Sequence, residues 1–249
     1  MAGTIGKGRS KQSLSEVPRV LDDIALLADL TSEERRELSR QCIWRKFYAD
    51  EEILDRESDS RDVFFVVYGA VQVVNYALSG RAISLATVDV GGHFGELSAI
   101  DGEPRSASVV AVTDSLIAAL SPKAFTEMMI SHPTVAIRVA RRLAHIIRIC
   151  DDRILDLSTL GAVQRVYMEL IRMSRPDPAV SGSWIIYPMP TQSNIAGRAS
   201  TTRETVGRVL STLAQAEIVS RKGKSLYIRD RETLQKMVDR LGPEQSEPR

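Results

Sequence analysis

The sequence predicts an α+β chain in two parts: an antiparallel β module, then a long helix leading into a compact helical module closed by a hairpin. Three observations carry this expectation. Short β-branched runs at 63–67, 71–74, 83–88, 107–112 and 115–120 are separated by Gly, Asp and Ser turns. Their spacing of roughly 8–12 residues marks a sandwich or barrel of antiparallel strands. From Pro133 no Gly or Pro interrupts the chain until Gly161. After residue 183 the order reads strand, helix, tight turn, helix, then a hairpin around Lys222-Gly223-Lys224, which is a winged helix-turn-helix.

Ahead of the strands, residues 20–42 carry a helical period, with Leu21, Ile24, Leu27, Leu30 and Leu38 at three- and four-residue steps. Thr31 followed by Glu34 is a capping box within it. In the long helix, Ala136, Leu143, Cys150 and Leu157 fall seven apart, with Val139, Ile146 and Leu160 interleaved. Arg153 breaks the second register, while Ile147 and Ile154 widen the stripe. An apolar seam of about three heptads is what a two-helix interface requires, so a homodimer is expected. A second helix over 162–173 and a loop over 174–183 follow. The expected domains are a flexible tail (1–18), the β module (19–132), the dimerisation helix (133–160) and the winged helix-turn-helix (161–249).

Composition narrows the function classes. Of 249 residues, 43% are hydrophobic and 26% charged, an ordinary globular balance. No apolar run is long enough to span a bilayer, and the polar N-terminus has no apolar signal core, which points to the cytoplasm. Cys42 and Cys150 lie too far apart for a paired metal or redox motif, and no metal site is expected. Neither a nucleophile–base pair nor paired catalytic carboxylates appear, so no enzyme is expected. The net charge of +1 hides an asymmetry. Residues 159–249 hold 14 Lys and Arg against 9 Asp and Glu, which makes the C-terminal module basic on an acidic body and suggests a polyanion partner.

The richest stretch is Gly95-Glu96-Leu97-Ser98, a short loop, then Arg105-Ser106-Ala107. Gly95 gives the backbone freedom to approach a ligand. Glu96 offers an acceptor for a sugar hydroxyl, Arg105 a cationic fork for a phosphate, and Ser106 a short neutral donor beside it. One acceptor and one Arg–Ser pair on a small loop suit a 3′,5′-cyclic nucleotide. In the C-terminal module, Thr191 caps a helix that continues through Gln192. Residues 197–200 make the turn, and Thr201, Thr202, Arg203, Glu204 and Arg208 follow on a second helix as its expected DNA contacts. Val206, Val209, Leu210 and Leu213 point inward, leaving Arg203, Glu204 and Arg208 where a helix in the major groove meets base edges. Arg can bond guanine bidentately and Glu can accept from cytosine.

With these residues on view, the chain resembles the Crp/Fnr superfamily of bacterial regulators, and within it the cyclic-AMP receptor branch. The resemblance runs over nearly all of the sequence after the tail, from a glycine-punctuated roll (Gly69, Gly80, Gly91, Gly92) to the segment 203–208. It implies a β-roll, a homodimer, double-stranded palindromic DNA with a TGTGA-like half-site, and RNA polymerase as a partner. Thr191, Gln192, Lys222 and Lys224 would then touch phosphates. In that branch two hydroxyl residues on the long helix receive the base; the matching positions here are Cys150 and Asp151. An ionised Asp151 accepts equally from the amino group of adenine or the paired donors of guanine, so the resemblance implies cAMP as the first ligand and cGMP stands second. The alternatives are a regulator of the same fold that needs no ligand, or a ligand-gated protein adaptor without sequence-specific DNA contact.

Overall fold

The computed structural model describes residues 14, 16–76 and 82–240; most of the expected tail, Gly80 and the chain from 241 onward lie outside them. The chain divides into two units, residues 1–76 with 85–143 and residues 77–84 with 144–249, so the long helix belongs partly to each.

In the first unit, the helix expected over 20–42 is two pieces. A 3-10 turn, Ala25–Leu27, comes first, and Leu21, Ile24, Leu27 and Leu30 are buried around it. Helix α1, Ser32–Gln41, follows. The break falls at Thr31, whose extended backbone (ψ 161°) cannot continue a helix through itself. Its hydroxyl accepts from the Glu34 N–H, and the Glu34 carboxylate accepts from the Thr31 N–H at 2.7 Å. The capping box outweighed the apolar period.

Eight strands follow: β1 (Ile43–Phe47), β2 (Glu52–Leu54), β3 (Val63–Tyr68), β4 (Ala70–Tyr76), β5 (Ala82–Asp89), β6 (His93–Phe94), β7 (Ser108–Ala111) and β8 (Ser115–Leu120). They form two sheets, in the orders β1-β8-β3-β6 and β2-β7-β4-β5, and all the pairings described are antiparallel. Phe64, Val66, Val71, Val109 and Ile117 fill one core of the roll. Val63, Phe65, Ala118 and Leu120 face the other way, onto Leu21, Leu27 and Phe125. Strands β3 and β8 are thus covered on both faces, which explains why their sequences run apolar without alternating. Helix α2, Glu96–Asp101, joins the cassette, and α3, Pro122–Ser131, starts at Ser121, whose hydroxyl accepts from the Ala124 N–H. The sequence reading did not anticipate α3. Helix α4, Pro133–Thr159, is the long helix.

In the second unit, α5 (Ala162–Met173) is followed by β9 (Arg175–Pro176), β10 (Trp184–Ile186), α6 (Gln192–Arg198) and α7 (Arg203–Gln215). Then come β11 (Val219–Lys222), β12 (Ser225–Ile228) and α8 (Arg231–Arg240), a helix the sequence reading also missed. The sheet order is β11-β12-β10-β9. Val166, Leu170, Ile195, Val206, Leu213, Ile228 and Leu234 are buried together at the centre. The turn between α6 and α7 sits later than expected. Helix α6 continues through Gly197 to Arg198, Ser200 takes φ 49°, and Thr202 rather than Thr201 caps α7. The architecture is the expected α+β chain of β-roll, long helix and winged helix-turn-helix.

Candidate ligand pocket and DNA-reading helix

The cassette is built around a buried guanidinium. Gly95 caps α2 with φ +83°, a conformation that favours glycine. A Cβ there would come within 2.8 Å of Arg105 Nη1 and 2.9 Å of the Asp62 carbonyl, so conformation and space both demand glycine. Arg105 is 4% exposed. It donates to the Gly95 carbonyl at 2.9 Å, the Asp62 carbonyl at 2.8 Å and Ser60 Oγ at 2.9 Å, and its guanidinium lies 5.5 Å from the Phe64 ring centroid. Burial lowers its pKa, opposed by the charges of Asp62 and Glu96. These bonds fix the fork but leave Nε buried without a hydrogen-bond partner.

Glu96 is buried, and its nearest cation is one the sequence reading did not select. Arg142 on α4 places Nε 3.6 Å from the Glu96 carboxylate and donates from Nη2 to the His93 carbonyl at 2.9 Å. Its Nε also lacks a hydrogen-bond partner. The signal was present: Arg142 stands at i+7 from Val135 and i+3 from Val139, the residues with which α4 packs on this unit's core. A cation on an inward stripe calls for a reason. Ser98 is buried and donates to the Pro104 carbonyl at 3.3 Å; Leu97 is exposed, and Ala107 is buried. Ser106 is exposed, with its carbonyl accepting from Asn75 Nδ2. His93 stands beside the cassette on the short strand before it. It is 5% exposed on β6, and burial together with the Arg142 charge lowers its pKa to about 3.

The structure therefore brings Gly95, Glu96, Ser98 and Arg105 together and adds Arg142. Cys150 and Asp151 are exposed on α4, eight and nine residues beyond Arg142, or about 12 Å along a helix at 1.5 Å per residue. The expected seam divides. Val139 is 3% exposed and Leu143 packs against the first unit's core. Leu160 packs against the second unit's core. Cys150, Ile147, Ile154 and Leu157 remain exposed.

On α7, Arg203, Glu204 and Arg208 are exposed as expected. The Glu204 carboxylate is held below its ordinary pKa first by its own backbone N–H and then by Thr202, so it stays an acceptor. The exposed Thr202 hydroxyl accepts from the Thr205 N–H at 3.2 Å, and that of Thr191 from Asn194 at 3.2 Å. Thr201 was expected at the DNA face. It is buried, its N–H bonded to the Ala196 carbonyl, so it shapes the turn instead of offering a surface hydroxyl. Gln192 is half-buried, its amide 3.6 Å from where a Cβ on Gly207 would sit. Lys224 is exposed in the hairpin turn, whereas the Lys222 ammonium lies 5.9 Å from the Tyr227 ring centroid. Arg165 holds the turn: it donates to the carbonyls of Ala199 (2.9 Å), Ser200 (3.1 Å) and Leu160 (2.8 Å), tying the end of α4 to the loop before α7. Arg172 pairs with Asp156 of α4.

Residues 44–132 match the family model of the cyclic nucleotide-binding domain, and residues 164–237 that of the Crp-like helix-turn-helix domain. The chain belongs to the Crp/Fnr superfamily. This Crp/Fnr regulator is 29% identical to the cyclic AMP receptor protein of Thermus thermophilus over 206 residues, 82% of this chain and 93% of the relative. It is similar in structure to a mutant of CooA from Carboxydothermus hydrogenoformans, with a TM-score of 0.74 at 20% identity over 86% of this chain and 95% of that one. It is also similar to the c-di-GMP responsive global regulator CLP of Xanthomonas campestris, with a TM-score of 0.58 at 17% identity over 76% and 94%. These two likenesses speak for the fold. The Crp/Fnr regulator thus carries a cyclic nucleotide-binding domain and a DNA-binding helix-turn-helix. No helix among its described residues is long and apolar enough to cross a membrane.

Proposed function

We propose that this protein is a cytoplasmic, homodimeric transcription regulator that a cyclic nucleotide switches, cAMP first and cGMP second. The observation that carries the reading is the pair of buried Nε donors, on Arg105 and Arg142, within electrostatic reach of buried Glu96. Unsatisfied cationic donors beside a carboxylate suit a ligand with one anionic phosphate and one hydroxyl. In this reading Arg105 and the exposed Ser106 hold the phosphate, Glu96 accepts from the ribose hydroxyl, and Arg142 fixes Glu96. Gly95, Leu97, Ser98 and Ala107 shape the loop.

A second copy of the chain covers the bare stretch of α4. Cys150 and Leu157 keep the seven-residue step, and Ile147 and Ile154 repeat it alongside. Contiguous exposed apolar residues on a helix call for a partner, and a self-complementary heptad seam fits a two-fold one. Arg203, Glu204 and Arg208 read a TGTGA-like half-site and its inverted copy, with Thr191, Gln192, Thr202, Lys222 and Lys224 on phosphates. RNA polymerase is the expected protein partner.

Cyclic GMP is kept as the second ligand because Asp151 is exposed on α4 and a carboxylate matches the paired donors of guanine. Calorimetric titration with cAMP and cGMP side by side tests both. Tighter cAMP binding, unmoved by Asp151→Asn, fits the first ligand; tighter cGMP binding that Asp151→Asn abolishes fits the second. Heat of binding from neither would overturn the nucleotide reading.

A further inference from the structure

Strand β4 turns a polar side chain toward the cassette that the proposed contacts leave unused. Val71 and Val73 pack in the core of the roll, so strand alternation puts Asn75 on the same inward face. The antiparallel register sets Val73 opposite Val109 and Val74 opposite Ser108, and the next step brings Asn75 level with Ala107. There the carboxamide meets the cassette directly, Nδ2 donating to the Ser106 carbonyl at 3.3 Å. A carbonyl only accepts, so this bond assigns the nitrogen arm to Ser106 and leaves Oδ1 on the other arm of the planar amide. That oxygen is buried and has no hydrogen-bond partner. Arg105 Nε is buried and unpartnered as well, so the two do not satisfy each other. A buried acceptor without a donor is rare and costly, and one set against a binding loop points to a donor on the ligand.

We infer that Asn75 is a specificity residue of the pocket: its Oδ1 accepts from the 2-amino group of a purine folded over its ribose, and so it is what admits cGMP. The inference rests on the cyclic-nucleotide reading above. Ligand chemistry decides which donor meets the oxygen. A cyclic phosphate and the sugar ring oxygen cannot donate, and the one free hydroxyl is assigned to Glu96, so the base must supply the N–H. Asn75 holds the peptide of Ser106, the residue placed on the phosphate, and its oxygen therefore lies on the phosphate side of the pocket. A base in the syn conformation brings purine C2 over the ribose toward that phosphate, whereas an anti base carries C2 away from it. At C2 guanine bears an amino group and adenine only a C–H. Asn75 thus favours guanine, while cAMP leaves the oxygen as it stands in the free protein and gains nothing from it. One amino hydrogen suffices for the contact, and the remaining guanine donors stay available to a second acceptor.

Calorimetric titration of the full chain with two matched pairs of nucleotides reads the amino group alone: cGMP against cyclic IMP, and 2-amino-cAMP against cAMP. The members of each pair differ only in the 2-amino group. Wild type should bind the amino member of each pair more tightly by about fivefold or more, the worth of one hydrogen bond. In Asn75→Leu, close in size and unable to accept, both ratios should fall by about that factor. Asn75→Ser, too short to reach, should behave alike. Both variants should keep the wild-type circular dichroism, because Asn75 is half-buried and its amide bonds to one carbonyl. A loss shared equally by all four nucleotides would mean that Asn75 only props the Ser106 peptide, and would overturn the contact. A wild type blind to the 2-amino group in both pairs would overturn it too, whatever the variants do. A wild type that binds none of the four would overturn the nucleotide reading and the inference with it.

Discussion

Arg105 does two jobs whose consequences differ on mutation. Its three bonds to Gly95, Asp62 and Ser60 hold the loop, so Arg105→Leu leaves buried acceptors unpaired and weakens the fold as well as the pocket. Ser106 is the cleaner probe, because it is exposed and directly follows Arg105 in the chain. Ser106→Ala should leave the melting temperature unchanged and weaken nucleotide binding by roughly fivefold, the worth of one hydrogen bond of about 1 kcal/mol. Calorimetry beside a thermal melt checks both halves. His93 makes a separate, pH-dependent prediction. Its folded pKa of about 3 lies below the ordinary histidine value of 6.5, so the unfolded chain takes up the proton first as pH falls. Stability that is full above about pH 6.5 is therefore lost on acidification, at up to about 1.4 kcal/mol per pH unit between about 6.5 and 3. Between pH 7.5 and 5.5 wild type should lose about 1.4 kcal/mol more than His93→Phe in urea unfolding. Equal losses would mean that the imidazole is not neutral and buried.

At the scale of elements, α4 is the part whose sequence says most and whose structure divides it. Ile147→Glu with Ile154→Glu should give monomers in light scattering without unfolding, since both side chains are exposed and neither supports its own core. Leu143 would be a poor choice, because it packs against the first unit's core. Helix α7 makes the next test. Glu204→Ala should relax preference at the base pair it reads by roughly tenfold, whereas Lys224→Ala should weaken all sequences alike and flatten the salt dependence. A sequence-ranked binding array separates the two outcomes. Much of this was legible in the residues: β8, α5 and the capping box at Thr31 fall where the spacing put them, because turn residues and caps act locally. The misses have tertiary causes. Helix α3 begins at Ser121-Pro122, a cap hidden by the apolar strand before it, and α8 follows an Asp230 cap that reads like another turn. The helical step of Arg142 from Val135 and Val139 marks it as inward, but only packing shows that it meets Glu96, and Thr201 was misplaced because the turn ends at Thr202.

At the scale of the whole molecule, α4 runs through both units, one holding the cyclic nucleotide-binding domain and the other the helix-turn-helix. Within the second unit, Arg165 binds the Leu160 carbonyl after α4 and the Ala199 and Ser200 carbonyls before α7, and Arg172 pairs with Asp156 on α4. The end of α4 and the start of the recognition helix are thus mechanically linked in the same module. A ligand shifts such an equilibrium only by its differential affinity for the two states, and the coupling is reciprocal. DNA must tighten nucleotide binding by the same factor that nucleotide tightens DNA binding. The most direct test is fluorescence anisotropy on a duplex bearing a TGTGA palindrome, titrated with protein at fixed salt, with and without saturating cAMP and, separately, cGMP. The expected result is a tighter Kd with one of the two nucleotides, by roughly five- to 150-fold for a coupling of about 1–3 kcal/mol, and the same factor returned when nucleotide affinity is measured with and without DNA. The same DNA affinity in all three conditions would contradict it.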